Sequence, residues 1–474
     1  MYTGAIIILP EIIISTMSCF ILIFDLFISK TKKNVIYYLS QVTLIMTFIT
    51  LLYLISFHDH GKVLFGGAFI FDYFSIFLKL IIIFMAFIIF IYSKKYIVYV
   101  DLFRGEYFVL CLMSILGMMV MVSSGTFLSL YLGLELLSLP IYSLIIMNKN
   151  YISSEAAMKY FIMGSIASGI FLFGVSLVYG MTCDISFNII NSLIYDEDIY
   201  HDTTMQQGFI FIISGLIFKF GAVPFHMWVP DVYEGSPIPI TLFIGTIPKI
   251  AALGMAYRLL VDAFSNFNGD LEFLFIIVGI LSLFIGNIFA LSQVDIKRML
   301  GYSAISHVGF MFCGFTVINV FNFSIMIFYI VIYVIASMGT FGIIMALSSK
   351  YKEANLINHF KGLGILHPLL GLSMLLFLLS LAGIPPTAGF YAKFFILKLL
   401  MSYGYIEIVL FAVLMSVVGS FYYLKVIKVM FFEKVPSNIK ILGLSNFALF
   451  ILFMNGMLIL FIGIWPSVFF NLCY

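Results

Sequence analysis

Apolar residues run through this chain in blocks of about twenty, broken by short polar stretches, and a bilayer core needs roughly 20 apolar residues per α-helix. The pattern predicts fourteen spanning helices near 4–27, 36–56, 70–92, 106–123, 126–147, 156–180, 208–228, 238–262, 271–292, 300–318, 320–347, 366–400, 404–432 and 443–469. The stretch 366–400 is too long for one straight helix, and Pro385-Pro386 divides it. The connecting segments are short and leave no room for a soluble catalytic domain. The expected fold is an all-α integral membrane protein, a single polytopic domain over 1–474.

Two spans carry internal breaks. Span seven reads KFGAVPFHMWVP (219–230) and span twelve AGIPPTAGFYAKF (382–394), each with a lysine near the break. The two lie five spans apart, an odd number. A five-helix unit repeated once therefore sits inverted in the membrane, as in many transporters, with binding sites at the broken helices. The expected repeats are 106–262 and 271–432, each forming a half-channel.

Loop charge predicts the orientation. Basic residues follow odd-numbered spans: Lys30, Lys32 and Lys33; Lys94, Lys95 and Arg104; Lys149; Lys297 and Arg298; Lys350, Lys352 and Lys361; Lys434 and Lys440. Loops after even-numbered spans hold almost none, apart from Lys62, and the longest carries Asp184, Asp196, Glu197, Asp198 and Asp202. Odd loops are thus expected in the cytoplasm or matrix, with both termini on the opposite side. No basic residue precedes the first apolar block, so that block reads as a retained span rather than a cleaved signal.

Composition narrows the function classes. Of the 474 residues, 63% are hydrophobic and 10% charged, against about 25% charged in soluble domains. Mean hydropathy is +1.17. A net charge of +2 gives no reason to expect nucleic-acid binding. The five cysteines are scattered without metal-ligand spacing, so the sequence offers no metal or redox-cofactor site of its own. Nucleophile elbows and phosphate loops are absent as well.

The candidate chemistry lies in charges placed inside apolar blocks. A lysine at mid-membrane costs about 2.5–3.5 kcal/mol on insertion scales, and intramembrane ionisable residues point to function. Lys219 lies five residues before Pro224, and Lys249 directly follows Pro248. Glu135 lies near the middle of span five; a carboxylate there tunes a neighbouring lysine, since an approaching negative charge stabilises the ammonium form. A lysine switched in this way over about 3 pKa units stores about 4 kcal/mol. Moving one charge through about 150–200 mV takes roughly 3.5–4.6 kcal/mol. The magnitudes match, so the species moved is most simply a proton. Lys393, in the second half of span twelve, is a further candidate. Lys159 either makes an ordinary i,i+4 pair with Glu155 or feeds protons from the cytoplasmic side. His226 beside the first break and His307 inside span ten are relay candidates, each set against a role as a hydrogen-bonded core residue. Asp72 and Lys79, two turns apart on one helix face, read as a structural pair. Lys398, Lys425, Lys428 and Arg258 are expected to snorkel to the interfaces.

These residues lie in motifs that resemble the antiporter-like subunits of respiratory complex I, the NADH:quinone oxidoreductase. The motifs are LPEIII (9–14), GLELLSLPIYSLI (133–145), EAAMKYFIMGSIASGIFLFG (155–174), FKFGAVPFHMWVPDVYEGSPIP (218–239), DIKRMLGYSAISHVGF (295–310) and SLAGIPPTAGFYAKFFIL (380–397). LPEIII, the GIPPTAGFYAKF form and the lack of a long carboxy-terminal lateral helix favour the N type over the L and M types. M-type chains carry an acidic residue where Lys393 stands here.

The resemblance implies a coupled pair of Glu135 and Lys219, a central relay at Lys249 and an exit-side lysine at Lys393. It implies that NADH, FMN, iron–sulfur clusters and quinone are handled by partner subunits. The expected partners are other membrane-arm subunits of M type and of the small K and J types, with membrane lipids around them. The expected location is the inner (plasma) membrane of a bacterium, the mitochondrial inner membrane being the alternative. The rival functions are a subunit of a multi-subunit cation/proton antiporter and a structural scaffold whose charges only pair for packing.

Overall fold

The structure is a computed structural model that describes residues 2–27, 34–56, 61–100, 102, 104–194, 202–265, 268–317, 322–348, 353–433 and 444–467. Several loop residues used for the orientation, among them Lys30, Lys32, Lys33, Asp196, Glu197, Asp198, Lys350, Lys352, Lys434 and Lys440, lie outside the described residues.

Helices occupy each predicted block. In chain order they include α1 (Leu9–Phe27), α2 (Asn34–Ile55), α3 (Tyr73–Tyr99), α4 (Gly105–Val122), α5 (Phe127–Ile145) and α6 (Tyr151–Thr182). The broken seventh block gives α7 (Thr203–Phe220) and the short α8 (Trp228–Gly235), followed by α9 (Ile238–Tyr257). Next come α10 (Asn268–Leu291), α11 (Ile296–Phe315) and α12 (Phe323–Leu347). The divided twelfth block gives α13 (Pro368–Ala382) and α14 (Ala388–Ser402), and the chain continues through α15 (Ile406–Phe432) and α16 (Asn446–Ile464). Among the described residues, eleven helices are long and apolar enough to cross a membrane. The fold is all-α apart from a small antiparallel hairpin, β1 (Lys62–Leu64) with β2 (Phe69–Phe71).

Polar residues at the block edges start the helices. Thr126 caps α5 by accepting from Ser129 N, Asn150 caps α6 through Ser153, and Asp295 caps α11 through Arg298 N. Each side chain satisfies a backbone N–H that the first turn leaves unpaired.

The chain divides into two compact units. One comprises Met1–Lys94, Asp101–Phe218 and Ile247–Phe267; the other comprises Lys95–Val100, Lys219–Thr246 and Asn268–Tyr474. In the first unit, α4 and α5 touch backbone to backbone. A Cβ on Gly133 would stand 2.7 Å from Met121 N, and one on Gly117 would strike the backbone of Leu137. In the second unit, α10 and α11 use the same device: a Cβ on Gly286 would stand 2.6 Å from Ser306 N, and one on Gly309 2.8 Å from Leu283 N. Small residues permit this close packing in membrane helices.

Two expectations about charges need correction. Asp72 and Lys79 do not pair with each other. Seven residues of helix rise are about 10 Å, too far for an ion pair. Lys79 instead bonds Glu11 of α1 at 2.5 Å, and Asp72 receives both terminal nitrogens of Arg258 at 2.8 and 2.9 Å. Arg258 does not snorkel to an interface. It is 1% exposed on a π-helical turn (Arg258–Ala263), where it also bonds Asp262 at 2.7 Å and the carbonyl of Val122 at 2.9 Å. Two carboxylates and a carbonyl satisfy the guanidinium inside the protein, so it has no need of water.

Lys297 and Arg298, counted above as loop charges, stand in the first turn of α11. Lys297 is buried and donates to Glu353 at 2.9 Å and to the carbonyl of Ser236 at 3.0 Å. Burial pushes the Glu353 carboxyl up, but Lys297 and the Tyr96 hydroxyl outweigh it and hold Glu353 below the usual carboxylate range.

Candidate functional site

In the second unit the site forms around the break between α13 and α14. Gly383 ends α13 with φ of +82°, a left-handed conformation that a side chain would strain. Its N–H bonds the carbonyls of Leu379 and Ser380, which leaves other last-turn carbonyls of α13 in need of donors. Lys393, from the second turn of α14, reaches back across the break and donates to Ala382 O at 2.9 Å. The ammonium is thus held against the negative end of a half-helix. It also lies 5.2 Å from the centre of the Phe310 ring.

His307 lines the same small cavity as Lys393, together with Tyr329, Tyr333 and Ser380. About 10 Å³ is open there to the centre of a water molecule, close to the minimum that one water needs. The Ser380 hydroxyl is buried with no hydrogen-bond partner among the described residues, so a polar group faces that space. Both imidazole nitrogens of His307 are engaged, Nδ1 with Tyr329 at 2.8 Å and Nε2 with Tyr423 at 3.2 Å. One nitrogen donates and the other accepts, so a change of tautomer moves a proton from one tyrosine's side of the ring to the other's. Tyr422, next in line, donates to Asn287 at 3.3 Å.

The first break falls in the same unit. Lys219 is half-buried one residue before the end of α7. Gly221 then turns at φ +73°, and a Cβ there would strike Val229. Val223 N donates to Ser282 on α10 at 3.0 Å, which fixes the break to a neighbouring helix. His226 lies in the turn before α8, its Nδ1 buried with no hydrogen-bond partner among the described residues.

In the first unit, Glu135 is half-buried on α5 and accepts a short hydrogen bond, 2.5 Å, from the Ser168 hydroxyl of α6. Tyr142 and Tyr160 lie near enough to feel its charge, and their rings meet edge to face at 4.9 Å. Lys159 makes the expected i,i+4 pair with Glu155 at 2.8 Å, with both side chains partly exposed. Lys249 is buried on α9 directly after Pro248, 5% exposed.

The structure therefore brings together Lys393 and His307, which sequence reasoning treated separately. Ser168, Ser380, Tyr329 and Tyr423 escaped that reasoning. The one signal for the tyrosines was polar hydroxyls recurring inside apolar blocks, an expensive placement unless each finds a partner. Among the described residues, no group of three or more His, Cys, Asp or Glu side chains could hold a metal ion.

Residues 124–419 match the family described as NADH:quinone oxidoreductase/Mrp antiporter, TM. Subunit N of NADH-quinone oxidoreductase from Ruthia magnifica subsp. Calyptogena magnifica is 43% identical over 463 residues, 97% of this chain and 95% of that protein. The chain belongs to the subunit N family of NADH-quinone oxidoreductase. Among solved structures, a chain of respiratory complex I from Thermus thermophilus superposes with a TM-score of 0.79 at 26% identity, covering 97% of both chains. A chain of the Mrp complex from Dietzia sp. DQ12-45-1b superposes at 0.83, covering 98% of this chain and 95% of its own, but at 18% identity it shares the fold alone. A subunit N protein is part of an oxidoreductase enzyme, and this one is an all-α integral membrane protein of a bacterial family.

Proposed function

We propose that Glu135, Lys219, Lys249 and Lys393 carry the protons moved by this membrane-arm subunit of proton-translocating complex I, with Lys159, His226 and His307 in supporting roles. The carrying observation is the Lys393 ammonium, held across a helix break by one carbonyl and sharing a water-sized cavity with a histidine whose two ring nitrogens are both engaged. A lysine in such a place can give up its proton to a neighbour and be refilled, whereas a packing cation would be matched by a carboxylate. NADH oxidation, FMN, iron–sulfur clusters and quinone chemistry belong to partner subunits. The neighbours are antiporter-like M-type and small K- and J-type subunits in a bacterial inner membrane. Residues 106–262 and 271–432 act as the two half-channels.

Lys393→Met tests this in the whole complex. It keeps the side-chain length and removes the proton carrier. A positioned proton-transfer group contributes typically 10²–10⁴-fold. Pumping in inverted membrane vesicles should therefore fall by roughly a hundredfold, with assembly on native gels unchanged. Full pumping by assembled Lys393→Met would refute the proton-carrying role.

A further inference from the structure

The second unit has a groove separate from the residues proposed to carry protons. It runs between the starts of α13 and α16, has a volume of about 470 Å³ and opens to the outside of the chain. Its walls come from the stretches 366–373 and 446–453, so the two helices begin side by side.

The groove is polar at its mouth and apolar within. His367, just before α13, and Asn446, the first residue of α16, stand at the mouth. Leu370, Phe450 and Phe453 follow further in. Ser373, the other polar residue of the wall, gives its hydroxyl proton to Leu369 O at 2.9 Å. Among the described residues, no Asp or Glu lines the groove.

Shape limits what fills it. Each wall rises through seven residues, about 10 Å at 1.5 Å per residue. A volume of 470 Å³ over that length gives a cross-section of about 47 Å². A helix with its side chains is about 10–12 Å across and needs roughly 80–110 Å². The groove is therefore too narrow to seat a helix of a partner subunit or of a second copy, and thin hydrocarbon chains enter it.

The mouth specifies the other end of the ligand. An imidazole N–H and an amide NH₂ are donors, and a phosphate offers charged acceptors to both. A choline or ethanolamine cation would find no carboxylate there, so an anionic headgroup fits best. The loop charges assign this end to the cytoplasmic side, whose leaflet carries a negative surface charge from anionic lipids. Moving a tail from the bilayer into the groove gains no hydrophobic free energy, since both surroundings are apolar. Preference for one lipid therefore comes from the mouth.

We propose that this groove is a binding site for an anionic phospholipid, with its acyl chains between α13 and α16 and its phosphate accepting hydrogen bonds from His367 and Asn446.

The test is photolabelling of the whole complex in nanodiscs of phosphatidylcholine. The probe is phosphatidylglycerol with a diazirine in its acyl chain, and labelled peptides are mapped by mass spectrometry. Label on 366–373 and 446–453 should saturate and be competed out by unlabelled phosphatidylglycerol. Label on the exposed face of α15, around Leu414, Val417 and Phe421, should rise in proportion to the probe. His367→Leu removes a hydrogen bond to a charged group, so half-saturation should need roughly tenfold more probe. Leu369→Trp, on the exposed rim, fills the groove and should abolish the saturable label. Groove label that rises in proportion to the probe in the wild type would overturn the proposal and leave bulk bilayer lipid as the occupant. Absence of groove label in the assembled complex would overturn it in favour of a partner subunit over this face. Saturable label with unchanged half-saturation in His367→Leu would overturn the placement of the phosphate. The wild-type competition decides the site even if a variant fails to assemble.

Discussion

Replacing Lys249 by methionine should stop proton pumping almost completely while the complex still assembles. Lys249 is 5% exposed on α9, one residue past Pro248, and methionine is close to it in length and tolerated in apolar surroundings. What is lost is the group that holds a positive charge at that depth. An unassisted charge in the membrane interior costs at least about 2.5–3.5 kcal/mol, which slows a proton's passage by roughly a hundredfold. Pumping is read as quenching of a pH-sensitive dye in inverted vesicles driven by NADH, and assembly on native gels. If Lys249 were only a packing cation, the assembled Lys249→Met complex would pump at the wild-type rate.

Arg258→Met should have its large effect on stability instead. Arg258 neutralises Asp72 and Asp262 from a fully buried position, and its loss leaves two largely buried carboxylates facing each other. Breaking a buried pair by removing one partner costs about 3–5 kcal/mol. The expected outcome is little assembled complex on native gels and a markedly lower melting temperature for what remains. Arg258→Met with Asp72→Asn removes one of the orphaned charges and should recover part of the loss. Arg258→Lys should recover less than its charge suggests, because lysine lacks the fork that serves Asp72 bidentately while also reaching Val122 O. Wild-type stability in the single variant would mean that the triad contributes nothing to holding the first unit together.

The spans and both breaks were legible because the bilayer imposes them. A helix must show about twenty apolar residues, and Pro385-Pro386 or Gly221 with Pro224 cannot continue one. Partner choice was not legible, because it depends on how helices far apart in sequence are brought together. His307 meets Tyr329 and Tyr423, 22 and 116 residues away, and Asp72 meets Arg258 across 186. The local pairing of Asp72 with Lys79 looked sound on one helix face. It failed because Glu11 and Arg258, on other helices, stood closer to each charge than they stood to one another. Lys159 with Glu155 came out as expected, since an i,i+4 pair needs only its own helix.

The central claim is that the buried lysines release protons and do not merely hold charge. Lys219→Arg separates the two directly, since arginine keeps the positive charge and holds its proton at any working pH. The measurement is the number of protons translocated per NADH oxidised, taken in the same vesicles as the oxidation rate. A proton-releasing Lys219 requires that the ratio fall clearly below the wild-type value in assembled Lys219→Arg complex. An unchanged ratio at an unchanged rate would show that a fixed positive charge suffices at this position.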